Sequence, residues 1–302
     1  MGKPRSPLGK WLKRRVGYPF EAVLVHAACW LFEALPVDAA SSLGGRIGRV
    51  VGPLLRGTKT ARRNLTRAFP EKSAGEIERI ILDMWDNLGR VLAEYPHLAT
   101  LGDTGPGGRT ELVGRQYLDS LRDDGIGGIV VGGHLGNWEV PPVASRTLGL
   151  EVALVYRAPN NPYVGPVLVK MRGAASDTHI PKGADGARRL IRHLSKGGHV
   201  GILIDQKMND GTPIPFFGRD AMTAPAAAQL SRRLNIPILP LRTERLKGAL
   251  FRVTILPPME YPDTGNPHHD TEDLLTRLNA LLECWIREKP EQWLWLHRRW
   301  AD

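Results

Sequence analysis

A histidine and a glutamate stand five residues apart in the segment IGGIVVGGHLGNWE, residues 126–139. His134 is the side chain best suited to take a proton near neutral pH, a role worth roughly 10²- to 10⁴-fold in rate when the ring is positioned. The ring needs an orienting partner on its other nitrogen, and Glu139 is one candidate. The alternative is that His134 is a polar loop residue and Glu139 belongs to the first turn of a helix, where carboxylates are favoured.

The residues before His134 predict a buried strand that ends in two glycines. The run 129–131 is continuously apolar, as in strands covered on both faces. Gly132 and Gly133 permit a backbone approach that a side chain would prevent, and Gly133 is a candidate substrate-binding residue. His134 then stands at the carboxyl end of the strand, where open α/β sheets bind ligands. Because residues five apart on a regular helix face different directions, we expect His134 in the turn before the helix.

A second carboxylate, Asp205, follows the apolar residues of GILIDQ. Burying a carboxylate costs free energy unless it is paired, and His134 at the end of a parallel strand is a natural partner. An ordinary helix or turn cap is the alternative role. The spacing therefore leaves open whether Glu139 or Asp205 orients the histidine.

Two further stretches at predicted strand ends offer binding groups. Arg157 ends ALVYR, and its guanidinium suits a bidentate grip on a phosphate or carboxylate, although a solvated strand terminus is an equal alternative. In PIPFFGRDAMT, Phe216 and Phe217 are candidates for an apolar wall along a chain-like ligand, and Arg219 adds a cation. Paired aromatics are also common in ordinary cores.

The elements that must position these residues alternate between strand and helix. The predicted strands are 126–132, 152–156, 200–205, 236–242 and 251–256, and the predicted helices are 138–148, 162–173, 184–195, 221–234 and 271–287. Alternation implies an α/β fold with a mostly parallel, mixed central sheet flanked by helices. We expect one α/β domain over residues 37–302 with a helical lead-in over 37–100, preceded by a basic tail and helix over 1–36.

The charge of the chain points to an anionic partner. Its 41 basic and 31 acidic residues give a net charge of +10, which suits nucleic acid, an anionic membrane, an acidic carrier protein or a phosphorylated substrate. Cys29 and Cys284 are far apart and lack CxxC spacing, so neither a disulfide framework nor a structural zinc site is indicated. We expect no metal and no cofactor.

The amino-terminal segment predicts a membrane-associating helix. The basic start MGKPRSPLGKWLKRR precedes the apolar run VLVHAACWLFEALPV, which His26 and Glu33 interrupt. A spanning helix needs about 20 predominantly apolar residues, and a signal peptide needs a cleaner apolar core. The combination favours a helix lying in the membrane interface, with basic side chains facing anionic headgroups at about 1 kcal/mol each. Those basic residues are Lys3, Arg5, Lys10, Lys13, Arg14 and Arg15. A buried helix behind a disordered basic tail is the alternative.

Taken together, these segments resemble the late acyltransferases of lipid A biosynthesis, the lauroyl and myristoyl transferases of Gram-negative bacteria, within the wider glycerolipid (glycerol-3-phosphate acyltransferase-like) fold. The resemblance covers nearly the whole chain. It rests on RRNLTRAFPEKS, MWDNLGR, GGHLGNWE, VYRAPNNP, IDQK, PFFG and PEQWLWLHRRW, in that order. The HxxxxE pair alone is a weak pattern, whereas the ordered set is specific.

The resemblance implies transfer of a fatty acyl chain from an acyl carrier protein thioester to a hydroxyl of a lipid A precursor, at the cytoplasmic face of the anionic inner membrane. The family's histidine and acid fall on His134 and Glu139, and its motif arginine falls on Arg157. In related mycobacterial acyltransferases acting on phosphatidylinositol mannosides, a later acid pairs with the histidine, and Asp205 stands at that place. The expected mechanism is direct attack with His134 as base. Coenzyme A as donor, with another glycolipid as acceptor, is an alternative.

A second class of function is a basic module that binds membranes or nucleic acid without catalysis. Its support is the net charge and the ending WLWLHRRW, a mixture seen where aromatic rings stack on bases. No recognised nucleic-acid motif is present in the sequence, and tryptophan with arginine is equally at home at a membrane interface. We therefore expect no nucleic-acid partner.

Overall fold

The computed structural model describes residues 11–156 and 159–300, and within them seven strands form one central sheet. The sheet strands are β1 (Thr110–Val113), β2 (Gly128–Gly132), β3 (Val152–Tyr156), β4 (His179–Pro181), β5 (His199–Leu203), β8 (Ile238–Lys247) and β9 (Leu250–Ile255), while β6 (Thr212–Phe216) and β7 (Arg219–Thr223) form a separate hairpin. The spatial order is β1-β9-β8-β2-β5-β3-β4. Neighbours pair in parallel except β8 with β9. The predicted mostly parallel, mixed α/β sheet is confirmed.

Helices flank the sheet and form the lead-in before it. They are α1 (Tyr18–Glu33), α2 (Val37–Val51), α3 (Gly57–Ala68), α4 (Ala74–Glu94), α5 (Leu98–Leu101), α6 (Arg115–Asp123), α7 (Val140–Thr147), α8 (Gly165–Arg172), α9 (Ala184–Leu194), α10 (Ala226–Leu234) and α11 (Pro267–Glu288). A π-helical turn, Lys13–Gly17, leads into α1. Over the two described stretches of chain, no helix is both long enough and apolar enough to span a bilayer.

Helices α2 and α4 approach each other through glycines. A Cβ atom on Gly48 would lie 2.1 Å from the carbonyl oxygen of Trp85, and one on Gly89 would lie 2.1 Å from that of Gly44. Larger side chains at these positions would force the two backbones apart. Helix α4 begins with a capping box between Ser73 and Glu76, and its close contact with α2 fixes the position of its carboxyl-terminal half.

Strand β2 is buried along its whole length, as the apolar run predicts. Its side chains divide between two cores: Ile129 and Val131 join one apolar cluster and Val130 joins the other, because alternate residues of a strand point to opposite faces. The structure begins the strand at Gly128, two residues later than predicted. Both faces of the sheet are therefore covered at β2, and polar groups can gather at the carboxyl end of this strand.

One predicted element is wrong at its start. Residues 221–223, the first part of the predicted helix 221–234, belong to strand β7, and the helix begins only at Ala226. Phe217 and Gly218 form the two-residue loop of the hairpin with φ of 52° and 66°, the left-handed conformations that a type I′ turn requires. Pro225 separates strand from helix because its fixed φ suits a helix start and it cannot donate to a strand partner. The short elements β1, α6 and β4 were not predicted from the sequence.

Candidate active site

The ring of His134 is held by Asp205. Nδ1 of His134 lies 2.7 Å from Oδ1 of Asp205, and the backbone N–H of His134 donates to Oδ2 of the same carboxylate at 2.7 Å. The side chain of Asp205 is 2 % exposed and that of His134 13 % exposed. One carboxylate thus fixes both the ring and the backbone of the histidine, and Nε2 is the ring nitrogen left for other partners.

Strand register explains why these two residues meet. Gly132 of β2 pairs with Leu203 of the adjacent parallel strand β5. His134 and Asp205 each lie two residues beyond these paired positions, so they come out side by side. Glycine at the intervening position leaves room for this close approach. A Cβ on Gly133 would lie 3.2 Å from Oδ2 of Asp205 and 2.9 Å from Cδ2 of Leu282. The contact between His134 and Asp205 therefore follows from the predicted strands as soon as β2 and β5 are known to be neighbours.

The carboxylate of Asp205 is held in its charged form. Burial by itself would raise the pKa of Asp205, but the charge of His134 and hydrogen bonds from its ring and backbone, together with one from Trp293, outweigh burial and hold that pKa well below its usual range. Nε1 of Trp293 donates to Oδ2 at 2.7 Å. An ionised carboxylate can only accept hydrogen bonds, so the ring atom that faces Asp205, Nδ1 of His134, must carry a hydrogen.

That constraint assigns the tautomer of His134. Because Nδ1 donates to Asp205, the neutral ring carries its lone pair on Nε2. The side-chain amide nitrogen of Gln206 lies 3.2 Å from this Nε2 and faces it as a donor. The ring of Trp138 packs edge-on against the imidazole, with centroids 5.1 Å apart. The arrangement presents Nε2 as a base at the carboxyl edge of the sheet.

Glu139 occupies a different environment. Among the described residues, its carboxylate bonds to Tyr95, Trp138 and Arg172 and not to His134. The Tyr95 hydroxyl donates at 2.7 Å, the Trp138 indole at 3.2 Å and Nε of Arg172 at 2.9 Å. Glu139 therefore reaches the histidine only through Trp138, which it holds against the ring. As predicted, His134 lies in the turn before α7, and Glu139 is the N-cap of that helix.

Burial and charge shift the titration of the groups around Glu139. Burial raises the pKa of the Tyr95 hydroxyl, and the negative charge of Glu139 raises it further. Burial alone would lower the pKa of Arg172, but its hydrogen bonds and charge pairing with Glu139 outweigh that effect and raise it. Tyr95 stays a neutral donor and Arg172 a cation, so the carboxylate has partners for both oxygens.

A cavity of about 260 Å³ opens beside His134. It runs between the sheet and α7, with apolar side chains from β2, β3, β5 and β8 along its length. Those residues are Val130, Val131, Val152, Leu154, Val155, Ile202, Leu203 and Leu241. Polar side chains also contribute to its lining: His134, Gln206, Lys182, Arg172 and Glu139. A mainly apolar cavity with a few polar groups beside a base suits a hydrophobic chain whose reacting end is polar.

A buried polar network supports the turn that carries His134. Arg245 of β8 makes two hydrogen bonds to Glu94 of α4, at 2.5 and 2.9 Å, and its Nε donates to Asn87 at 2.9 Å. Glu94 is fully buried and also accepts from Asn137 in the turn, at 2.8 Å. Asn87 donates to the carbonyl of Gly136 at 2.9 Å. These side chains hold the turn by hydrogen bonds, and none of them was predicted from the sequence as a site residue.

The carboxyl-terminal segment closes the other side of the site. Its backbone pairs with the turn: Leu294 donates to the carbonyl of His134 at 3.2 Å, and Gly136 donates to that of Gln292 at 3.0 Å. Trp293 supplies the indole hydrogen bond to Asp205, and His297 stands 5.8 Å from His134 between ring centroids. The ending PEQWLWLHRRW carries part of the family resemblance, but the sequence did not predict its place at the site.

The PFFG segment lies elsewhere. Phe216, Phe217 and Arg219 are outside the set of described residues that line the cavity. Phe216 and Phe217 are buried in an aromatic cluster, and Phe216 stacks on Trp300 with centroids 5.7 Å apart. Arg219 lies over the Trp300 ring at 5.6 Å. The structure therefore places all three in the packing of the carboxyl-terminal segment. Arg157 lies outside the described residues.

The amino-terminal helix exposes a large apolar surface. More than half of the surface of each of the following side chains is accessible: Trp11, Leu12, Val16, Phe20, Val23, Leu24 and Trp30. Asn161 ties α1 to the loop after β3 by donating to the carbonyl of Tyr18 at 2.9 Å. Arg14 and Arg15 border an open cleft beside that loop. Of the predicted basic residues, Lys3, Arg5 and Lys10 lie outside the described residues.

Comparisons with known proteins agree on one family. The family model described as bacterial lipid A biosynthesis acyltransferase matches residues 10–302. The chain is 28 % identical over 280 residues to a lipid A biosynthesis palmitoleoyltransferase of Escherichia coli K12, covering 89 % of this chain and 87 % of that one. It is 25 % identical over 279 residues to the lauroyltransferase of the same organism, covering 89 % and 88 %, and 25 % identical over 261 residues to the myristoyltransferase, covering 83 % and 77 %.

Proposed function

Because the chain belongs to the bacterial lipid A biosynthesis acyltransferase family, we propose that it transfers a fatty acyl chain from an acyl carrier protein thioester to a hydroxyl of a lipid A precursor, with His134 as the base. The observation that carries the mechanism is the hydrogen bond between Asp205 and Nδ1 of His134, which leaves the Nε2 lone pair facing the cavity. We propose a lauroyl or myristoyl chain, which two of the relatives transfer according to their names, while a third is named a palmitoleoyltransferase.

The proposed step is direct attack of the acceptor hydroxyl on the thioester. Nε2 of His134 takes the hydroxyl proton while the oxygen forms a bond to the carbonyl carbon, and the carbonyl electron pair moves onto its oxygen. As that oxyanion collapses, the carbon–sulfur bond breaks, and the leaving thiolate takes the proton from Nε2. The products are an ester and the free carrier thiol. Asp205 stays ionised throughout and stabilises the imidazolium that forms.

The cavity supports a long-chain substrate. Apolar side chains of the sheet line its length, and His134 lies at its polar part. Holding two hydrophobic substrates in attack geometry is the main requirement, because oriented reactants avoid much of the entropic barrier of a bimolecular step. Glu139 acts as a positioning residue: it fixes Trp138 against the His134 ring and balances the charge of Arg172.

This reaction is tested by incubating the purified protein with a lipid A precursor that carries a free hydroxyacyl hydroxyl. Lauroyl and myristoyl thioesters of acyl carrier protein, and the same thioesters of coenzyme A, serve as separate donors. We expect mass spectrometry to show one added acyl group with a carrier-protein donor. Transfer only from coenzyme A would contradict the proposed donor. No transfer from any thioester by the folded protein would contradict the reaction.

We also propose that the amino-terminal helix lies on the anionic inner membrane at its cytoplasmic face. A contiguous exposed apolar surface marks an interaction site, and basic residues beside it attract anionic headgroups. Arg14 and Arg15 have no ion-pair partner within the part of the chain that the structure describes, so their charge is available to such headgroups. This placement would bring the cavity to a lipid substrate held in the bilayer.

The membrane proposal predicts a loss of vesicle binding when the apolar face is made polar. The double change Phe20→Glu and Val23→Glu is expected to weaken binding to phosphatidylglycerol-containing vesicles at least about tenfold, since burying each such side chain contributes roughly 1.5–3 kcal/mol. Leu250→Glu, an exposed apolar residue of β9, is the matched control. Unchanged flotation of the double variant, or tight binding to single-stranded DNA with no lipid preference, would contradict the proposal.

A further inference from the structure

The amide of Gln206 lies between two imidazole rings. Its nitrogen is 3.2 Å from Nε2 of His134 and 3.2 Å from Nε2 of His297. Because Asp205 fixes the proton of His134 on Nδ1, the Nε2 atom of that ring is an acceptor, and the group facing it must be the N–H₂ end of the amide. An amide nitrogen carries two hydrogens, so Gln206 can donate one to each ring.

His297 is built to serve as the second acceptor. Burial lowers the pKa of His297, and so does the charge of Lys182, or of His134 when that ring is protonated, against the opposing charge of Asp205. Because the group that faces Nε2 of His297 is the N–H₂ end of the Gln206 amide, this Nε2 is the acceptor of the second hydrogen. Its backbone is fixed as well, because Asn64 of α3 donates to the carbonyl of His297 at 2.7 Å.

Four of the backbone N–H donors near the base are already engaged. The N–H of His134 donates to Asp205, that of Leu135 to the carbonyl of Gly133, that of Gly136 to the carbonyl of Gln292, and that of Glu139 to the side chain of Asn137. An oxyanion in an acyl transfer needs donors at about 2.7–3.1 Å, aimed where its charge develops. In this part of the turn, these four N–H groups are committed to the fold.

Gln206 has the position and the chemistry for that task. The acceptor hydroxyl must approach Nε2 of His134, where the Gln206 amide now lies, and the N–H···N contact of 3.2 Å is at the long, weak end of hydrogen bonding. Once the hydroxyl takes that place, the displaced N–H remains close to the carbonyl under attack, because the forming oxyanion is only two bonds from the attacking oxygen. His297 retains the other N–H and limits how far the amide can move.

We propose that Gln206 donates a hydrogen bond to the thioester oxygen as it becomes an oxyanion, and that His297 positions the Gln206 amide for this role. The inference rests on the proposed acyl transfer and assigns it a further catalytic residue, Gln206, and a positioning residue, His297. No covalent bond to Gln206 or His297 forms or breaks, and His134 alone accepts and returns the proton.

The test measures kcat and KM of transfer for Gln206→Ala and Gln206→Glu. We expect each to lower kcat by about 10²- to 10³-fold, the loss typical of removing one oxyanion donor, with KM changed much less. Glutamate keeps the length of the side chain but, as a carboxylate, cannot donate, so it should not rescue the alanine variant. Gln229→Ala, in an exposed position on α10, is the matched control and should retain full kcat.

A double-mutant cycle tests the role of His297. His297→Ala is expected to lower kcat in the wild-type background and to add little in the Gln206→Ala background, because residues that act through one interaction are not additive. His297→Gln, whose carbonyl restores an acceptor, should recover part of the loss. His268→Ala, exposed at the start of α11, is the control for loss of a histidine.

The outcomes separate this inference from the reaction on which it rests. If the wild-type protein transfers acyl chains and Gln206→Ala keeps kcat within about threefold, the oxyanion role is wrong. If the losses of Gln206→Ala and His297→Ala multiply, His297 does not act through the amide and that role is wrong. Absence of transfer by the wild-type protein would overturn the proposed function, and this inference with it.

Discussion

Replacing Asp205 by asparagine is expected to lower kcat of acyl transfer by about 10³- to 10⁴-fold, the scale seen when the aspartate of a Ser-His-Asp triad becomes asparagine. The amide oxygen would take the place of Oδ2, where the backbone N–H of His134 and the indole of Trp293 converge. The amide nitrogen would then face Nδ1 of His134 as a donor. That ring would be forced into the tautomer with its proton on Nε2, and the base would be lost.

The experiment compares Asp205→Asn with Asp210→Asn in the transfer assay. Asp210 is exposed and lies in the loop that follows Asp205, so its variant removes a nearby charge without touching the ring. Thermal unfolding of both variants shows whether the fold survives. A folded Asp205→Asn protein whose kcat stays within about tenfold of wild type would show that Asp205 does not orient the base.

The buried pair of Glu94 and Arg245 predicts the largest effect on stability. Glu94→Leu would leave the guanidinium of Arg245 buried without its anion and would also remove the acceptor for Asn137. Breaking a buried ion pair by removing one partner costs about 3–5 kcal/mol of the free energy of unfolding. Since Asn137 belongs to the turn that carries His134, we expect transfer to fall together with stability.

The matched control is the exposed pair of Arg62 and Glu78, whose side chains are 49 % and 46 % exposed. Glu78→Leu should cost less than about 1 kcal/mol, because exposed ion pairs contribute little. Both values come from denaturant unfolding. Adding Arg245→Met to Glu94→Leu should recover part of the loss, since it removes the unpaired buried charge. Equal, small losses for the two single variants would contradict a structural role for the buried pair.

The sequence predicts the half of the site that depends on one strand and its turn. The apolar run of β2, the glycines after it and the placement of His134 before α7 all follow from local pattern. Asp205 was a candidate for the same reason. The local sequence pattern could not decide whether Asp205 or Glu139 orients His134, because that depends on β5 lying next to β2 in the sheet.

The rest of the site depends on contacts between residues far apart in the chain. Arg245, Glu94 and Asn87 come from a strand and a helix about 150 residues apart and meet only in the folded core. The sequence around each of these residues gives no sign that they form hydrogen bonds to one another. The hairpin of β6 and β7 was misread for a related reason: the alanine-rich residues that follow it are typical of a helix, and the turn needs Phe217 in a left-handed conformation that its residue type does not favour.

In the proposed mechanism, Nε2 of His134 removes the proton of the acceptor hydroxyl. The most direct test is the rate of acyl addition to the lipid A precursor by His134→Ala beside wild type, with the same acyl carrier protein donor and with product mass as the readout. If His134 is the base, His134→Ala should lower the rate of acyl transfer by at least about 10²-fold while the protein still folds. The control variant His268→Ala should keep the wild-type rate. A folded His134→Ala protein that adds the acyl group at the wild-type rate would contradict the mechanism.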